Sequence, residues 1–167
     1  VARALDLPPT AVLDSLAEFR RRYRLLPTPP ASLFPGAAAT LAALHGAGWR
    51  LAVCSNKPEV LCRKALQDLG LDHYFGSVVG GDTAPFPKPH AAPVQHALAE
   101  LQVAAPRALL VGDSTVDQQA AAAAGVPFIF FTGGYDDGVA AGTPRASIDR
   151  LGQLPDLLAH LLTEPPP

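Results

Sequence analysis

The apolar positions first fall into a helical rhythm. Val12, Leu16, Phe19 and Tyr23 recur at steps of four and three residues, which puts them on one face of a helix over 10–26. Pro8 and Pro9 precede it, and Thr10 is its expected N-cap. Arg20, Arg21, Arg22 and Arg24 crowd the last turns, where the negative end of the helix dipole favours cations. Residues 27–35 hold four prolines and read as a linker, so the helix before them belongs to a different unit from the chain after them. From Gly36 onward short apolar runs alternate with helical stretches. Helices are expected over 37–44, 58–70, 90–101, 115–124 and 154–162, with Pro58 at a first helical position and Gly70 and Gly125 as stops. Strands are expected over 49–54, 77–79, 108–111 and 127–131, and a short apolar piece around Ile148. Apolar strands spaced by helices of this length predict an α/β fold: a parallel sheet covered by helices on both faces.

Composition changes this picture little. The 167 residues are 49% hydrophobic and 17% charged, which suits a packed core of ordinary domain size. A net charge of −2, with acids and bases interleaved, offers no field to recruit nucleic acid or a membrane surface, and neither is expected as a partner. The longest apolar stretch, 120–131, is broken by Gly125 and Pro127 and is too short to span a bilayer. Cys54 and Cys62 lack metal-ligand spacing and make a poor disulfide framework, so a reducing compartment, the cytoplasm, is expected.

In an open parallel sheet, ligands bind beyond the carboxyl ends of the strands. Ser55-Asn56-Lys57-Pro58 follows the first expected strand, Asp82 and then Pro87-Lys88-Pro89 the second, and Gly112-Asp113-Ser114-Thr115-Val116-Asp117 the third. Asp113 and Asp117 stand four apart where a strand loop becomes a helix start. Two carboxylates about 4–5 Å apart would repel by roughly 3–4 kcal/mol at an effective dielectric near 20, and a hard cation such as Mg²⁺ would relieve that. Asp117 alone would be met by its dipole-complementing position; Gly-Asp-Ser directly after a buried strand is not explained that way. Lysine is scarce, with Lys57, Lys64 and Lys88 against ten arginines. Lys88, stiffened by a proline on either side, can serve as a compact charge for a phosphoryl group or stand as a solvated loop residue. Ser55 and Asn56 precede a helix start, where they can receive phosphate oxygens, although Ser55 would equally serve as an N-cap. Cys54 sits in an apolar strand without a nearby histidine and reads as a small hydrophobe. His45, His73, His90, His96 and His160 read as surface residues, and Arg20–Arg24 as a solvated face within reach of an anion.

Together these residues resemble the haloacid dehalogenase-like phosphatases, and most of all their phosphoglycolate phosphatase branch. Cys-Ser-Asn-Lys-Pro at 54–58 resembles the family's second motif, Lys88 in Phe-Pro-Lys-Pro the third, and Gly-Asp-Ser-Thr-Val-Asp at 112–117 the fourth. Pro35-Gly36 resembles the return from an inserted cap, and Gly133-Gly134-Tyr135 with Gly138 the loop after the next strand. The resemblance implies a Rossmann-like three-layer α/β/α core over 31–164, with 1–30 the last part of a helical cap and 165–167 a tail. It implies a Mg²⁺-dependent phosphatase acting on a small phosphate ester, with 2-phosphoglycolate the first expectation. Ser55, Asn56 and Lys88 would bind phosphate, Ser55, Lys88 and Asp113 would take part in catalysis, and Asp113 and Asp117 would hold the metal. The family's first motif, Asp-x-Asp-Gly-Thr, which supplies the nucleophile, has no match in these residues. The expectation is that the nucleophile lies upstream of Val1 and that a central strand comes with it. A phosphotransferase related to β-phosphoglucomutase, and a core that binds phosphate or a partner without chemistry, stay open as alternatives.

Overall fold

Four consecutive apolar residues make the strand at the centre of the larger sheet, and they explain how the layers arise. The computed structural model describes residues 9–140 and 144–163. In chain order these form α1 (Pro9–Leu25), α2 (Ala37–Gly46), β1 (Leu51–Cys54), α3 (Glu59–Asp68), β2 (Phe75–Val79), α4 (Ala92–Leu101), β3 (Leu110–Gly112), α5 (Thr115–Ala124), β4 (Phe128–Phe131), β5 (Ala146–Ile148) and α6 (Leu154–Thr163). Side chains alternate across a strand, so β4 sends Ile129 and Phe131 to one face and Phe128 and Phe130 to the other. Ile129 and Phe131 join Leu44 of α2, Ile148, and Leu154 and Leu158 of α6. Phe128 and Phe130 meet Ala121 of α5, and a neighbouring cluster joins Val94 of α4 to Ala120 and Val126. Helices therefore cover both faces, and the expected three-layer α/β/α architecture is present. Ile129 and Val79 are fully buried, each contributing roughly 1.5–3 kcal/mol.

Every strand pairing is parallel, and the pairings form two groups: β1 with β2, and β3-β4-β5. In β1–β2 the register runs Leu51↔Phe75 and then Ala52↔Ser77, so Gly76 is an extra residue. Ser55 N–H donates to Val79 O at 2.9 Å, which fixes the edge that residues 53 and 55 present to β2; Cys54 then turns its N–H and C=O to the opposite edge. The same alternation applies to β3. Leu110 N–H donates to Pro127 O at 2.9 Å, and Val111, 37% exposed, turns its backbone away from β4. Among the described residues no strand pairs with these two edges.

Most expected elements appear within two residues of their predicted ends, with instructive exceptions. Pro58 is the N-cap of α3, one residue outside the helix, so Ser55 lies too far upstream to cap it. The helix expected from His90 begins at Ala92, and His90 instead accepts the Ala92 N–H through Nδ1. Gly125 closes α5 with φ 67°, as expected, whereas α4 is closed by Gln102 with φ 54°, a non-glycine in the left-handed region that the sequence did not signal. Phe19, on the apolar face expected for α1, remains 50% exposed, its ring 5.8 Å from that of Tyr23. The side chains of Thr10 and Val12 and the tail at 165–167 lie outside the described residues. No described helix is long and apolar enough to cross a membrane.

Candidate active site

Lys88 is the pivot. Its Nζ donates to Cys54 O at 2.7 Å and to Asp117 Oδ1 at 2.5 Å, and the Lys88 and Asp117 side chains are only 9% and 11% exposed. One ammonium thus caps the outward-turned carbonyl of β1 and grips the first turn of α5 behind β3. Its loop is held by Asn56, whose Nδ2 donates to Lys88 O at 2.8 Å while its Oδ1 accepts Lys88 N–H at 2.9 Å. Both polar ends of the amide are spent on this one backbone, which pins the loop of Lys88 beside the turn after β1. The adjacent Ser55 Oγ accepts the Lys57 N–H at 3.1 Å, a tight turn that keeps the hydroxyl at the carboxyl end of β1.

Close backbone approach holds the turn after β1 against the turn after β2. A methyl group on Gly80 would come within 2.2 Å of Glu59 N, and one on Gly81 within 2.5 Å of Asn56 O, so neither position has room for a side chain. Asp82 follows, and its Oδ1 accepts Glu59 N–H at 2.8 Å, satisfying a donor at the start of α3.

Asp117 has partners besides the neighbour its spacing suggested. Ser114 Oγ donates to Asp117 Oδ2 at 2.7 Å and Asp113 N–H approaches the same oxygen at 3.3 Å, so both carboxylate oxygens are engaged. The Lys88 ammonium lies against Asp117 Oδ1 and offsets part of the repulsion anticipated between Asp117 and Asp113. Among the described residues no group of three or more His, Cys, Asp or Glu is arranged to hold a metal. Asp113 is oriented separately: its Oδ2 accepts Tyr135 N–H at 2.9 Å, and its carbonyl accepts Asp136 N–H at 2.9 Å. A methyl group on Gly134 would sit 2.2 Å from Asp113 Oδ2, so the loop can approach this carboxylate only as glycine. The donor set suits Mg²⁺ in the sense that this ion takes one or two carboxylates and completes its shell with waters and substrate oxygens.

Asn56, Lys88, Asp113 and Asp117 are thus joined by hydrogen bonds at the carboxyl ends of β1 and β3, with Ser55 beside Asn56. The residues that orient them were not singled out by the motifs. Ser114 caps α5 and anchors Asp117, and Ser-x-x-Asp at 114–117 was legible as a capping pattern. Asp137 takes the N–H and the hydroxyl of Thr115 at 2.6 and 3.0 Å; that N–H is the main reason its carboxyl is held below the usual range. Twenty-two positions separate Asp137 from Thr115, and no local signal marks the contact. Burial pushes the Cys54 thiol up, as befits a small apolar residue in β1.

Against known proteins, the chain matches the family model "Haloacid dehalogenase-like hydrolase" over residues 11–131. It is 42% identical to a phosphoglycolate phosphatase of Rhodospirillum rubrum, covering 94% of this chain and 73% of the relative. It is also 42% identical to one of Cereibacter sphaeroides, covering 86% of this chain and 66% of the relative. A crystal structure of a predicted phosphoglycolate phosphatase from Haemophilus somnus superimposes with a TM-score of 0.71 at 32% identity, over 75% of this chain and 57% of that one. The chain therefore spans about two thirds of the length of these curated relatives and somewhat over half of that solved structure. With motif order, three-layer fold and relatives in agreement, the chain belongs to the haloacid dehalogenase-like hydrolase family.

Proposed function

We propose that the protein is a phosphatase of small phosphate monoesters, with 2-phosphoglycolate its first substrate. The observation that carries this is the buried Lys88 ammonium, fixed by Cys54 O and Asp117 at the strand ends where Ser55 and Asp113 collect. A positive charge held before substrate arrives can offset the charge of a transferring phosphoryl group without reorganising. Two relatives that bear the name phosphoglycolate phosphatase support the choice of ester.

In this reading the Ser55 hydroxyl and Lys88 Nζ take two phosphate oxygens, and Asn56 acts by fixing the Lys88 backbone. Asp113 would hold Mg²⁺, whose chemistry is to offset phosphate charge. Asp117 serves as the anchor of Lys88 and Ser114. A nucleophilic carboxylate would come from a further parallel strand seated between β1 and β3. That proposal is supported by the edges that Cys54 and Val111 turn away from their neighbours, edges that apolar sheets do not leave open without cost. The carboxylate oxygen would bond to phosphorus as the ester oxygen leaves and is protonated by solvent water, and a further water would then cleave the acyl phosphate, releasing inorganic phosphate and restoring the carboxylate. We assign residues 1–30 to a cap and 31–164 to the core. Tyr23 OH takes a hydrogen bond from Lys57 Nζ at 3.1 Å, Thr28 N–H donates to Asp68 at 2.8 Å and Lys64 donates to Leu26 O at 2.7 Å, ties that support a fixed seat for α1.

The test is phosphate release by the intact protein from 2-phosphoglycolate, an aryl phosphate and a hexose phosphate, with Mg²⁺ and with chelator. Mg²⁺-dependent release, fastest from 2-phosphoglycolate, is expected. No release from any ester would overturn the reading.

A further inference from the structure

Four arginines end α1, and they do not share one fate. Glu18 takes Arg21 through Nε and Nη2 at 2.7 and 2.9 Å and Arg22 through Nε at 2.6 Å. These contacts hold the Glu18 carboxyl down at about 2. Arg20 and Arg24 lie on another side of the helix, four residues apart and therefore neighbours. Among the described residues neither guanidinium has a hydrogen-bonding or ion-pair partner. Both line a cleft of about 230 Å³ between α1 and the core. The facing wall includes Asn56, Gly81 and Asp82.

Two like charges on one face, with no ion-pair partner among the described residues, are unfavourable for the helix that carries them. Asn56 Oδ1 already accepts the Lys88 N–H, and a neutral amide does not balance two positive charges. Asp82 supplies one negative charge against two positive ones, so the cleft keeps a net charge of about +1. A planar guanidinium matches a carboxylate through two parallel hydrogen bonds. The cleft is also in the right place: Asn56 belongs to its wall and directly follows Ser55, whose Cα lies about 3.8 Å away along the chain. An ester with its phosphate at Ser55 and Lys88 would extend its tail toward Arg20 and Arg24.

We infer that Arg20 and Arg24 are specificity-determining residues that receive a monoanionic, carboxylate tail of the phosphate ester. This rests on the phosphatase reading above and adds to it the residues that distinguish an acid-tailed ester from a neutral one. Arg21 and Arg22, already paired, take no part.

The experiment compares the intact wild-type protein with the double variant Arg20→Gln/Arg24→Gln on two esters of like size, 2-phosphoglycolate and 2-hydroxyethyl phosphate. Charge-assisted hydrogen bonds predict a rise in KM for 2-phosphoglycolate of about tenfold to a hundredfold in the variant. Its kcat should change little, and 2-hydroxyethyl phosphate should be turned over as by wild type. The pair Arg21→Gln/Arg22→Gln should leave both esters unaffected. Binding provides a readout independent of turnover: calorimetry with 3-phosphonopropionate and propylphosphonate, which differ only in the charged end, should show the same ratio and the same loss in the variant. Equal binding of the two phosphonates by wild type, or an equal KM change for both esters, would overturn the assignment. Hydrolysis of aryl phosphate alongside either result would leave the phosphatase reading standing.

Discussion

Replacing Asp117 by Asn keeps the shape of the side chain and removes the charge that faces Lys88. At an N–O distance of 2.5 Å and an effective dielectric near 20, the direct attraction is about 6–7 kcal/mol, an upper figure from which the cost of taking both ions out of water must be subtracted. Removing one member of such a pair leaves the other buried and unbalanced, with a typical cost of about 3–5 kcal/mol. Both side chains are about nine-tenths covered, so solvent screening does little to reduce it. The amide cannot repair the site. If its oxygen keeps the bonds from Ser114 Oγ and Asp113 N–H, its NH₂ group turns toward the Lys88 ammonium, donor against donor. Asp117→Asn in the intact protein should therefore lose about 3–5 kcal/mol in urea unfolding. Lys88→Met should cost less, because Asp117 retains two donors when the ammonium goes. The double variant should fall short of the sum of the singles by about 2 kcal/mol. An Asp117→Asn protein within about 1 kcal/mol of wild type, or strict additivity in the cycle, would refute the view that this pair is a structural pivot.

Other consequences are equally direct. Ser77 is 3% exposed and its hydroxyl has no hydrogen-bond partner among the described residues, so Ser77→Ala should stabilise the protein by about 1 kcal/mol in thermal unfolding; a loss of that size would mean that the hydroxyl has a partner after all. The Lys64 ammonium and the Thr28 N–H hold the Asp68 carboxyl at about 2 against a usual 3.8. A depressed folded pKa means that this tie contributes fully above the usual value and is lost as pH falls through about 2, so the Thr28 amide resonance should titrate near pH 2 rather than near 4. Gly134→Ala drives a methyl group into Asp113 Oδ2, and it should lower phosphate release with little change in KM; unchanged turnover would show that the loop has slack.

The fold was legible where one element carries its own signal. β4 is four apolar residues closed off by turn chemistry on each side, and α5 begins with a capping pattern and ends on glycine. The gathering of Asn56, Lys88, Asp113 and Asp117 also came from one rule, that chemistry collects after the strands of a parallel sheet. What distance along the chain conceals is who pairs with whom. Spacing placed Asp117 beside Asp113, but an ammonium twenty-nine residues away takes its charge, and no periodicity records that contact. Ser55 could have been a cap by residue type; only the start of α3 at Glu59 rules that out. Likewise the four arginines within 20–24 look alike in sequence, and Glu18 pairs with Arg21 and Arg22 while, among the described residues, Arg20 and Arg24 are left without a partner.

The central claim, that these strand ends form a phosphoryl-transfer site built on Lys88 and Asp113, is most directly tested by steady-state phosphate release from 2-phosphoglycolate by the intact protein and two variants. Lys88→Arg keeps the charge but exchanges a compact ammonium for a planar fork that cannot reach both Cys54 O and Asp117 in the same way. Asp113→Asn removes the carboxylate that Tyr135 N–H orients. Each should reduce kcat by about a hundredfold to a thousandfold, with the fold retained as judged by circular dichroism. A Lys88→Arg and an Asp113→Asn protein that both turn over within a few-fold of wild type would contradict the account.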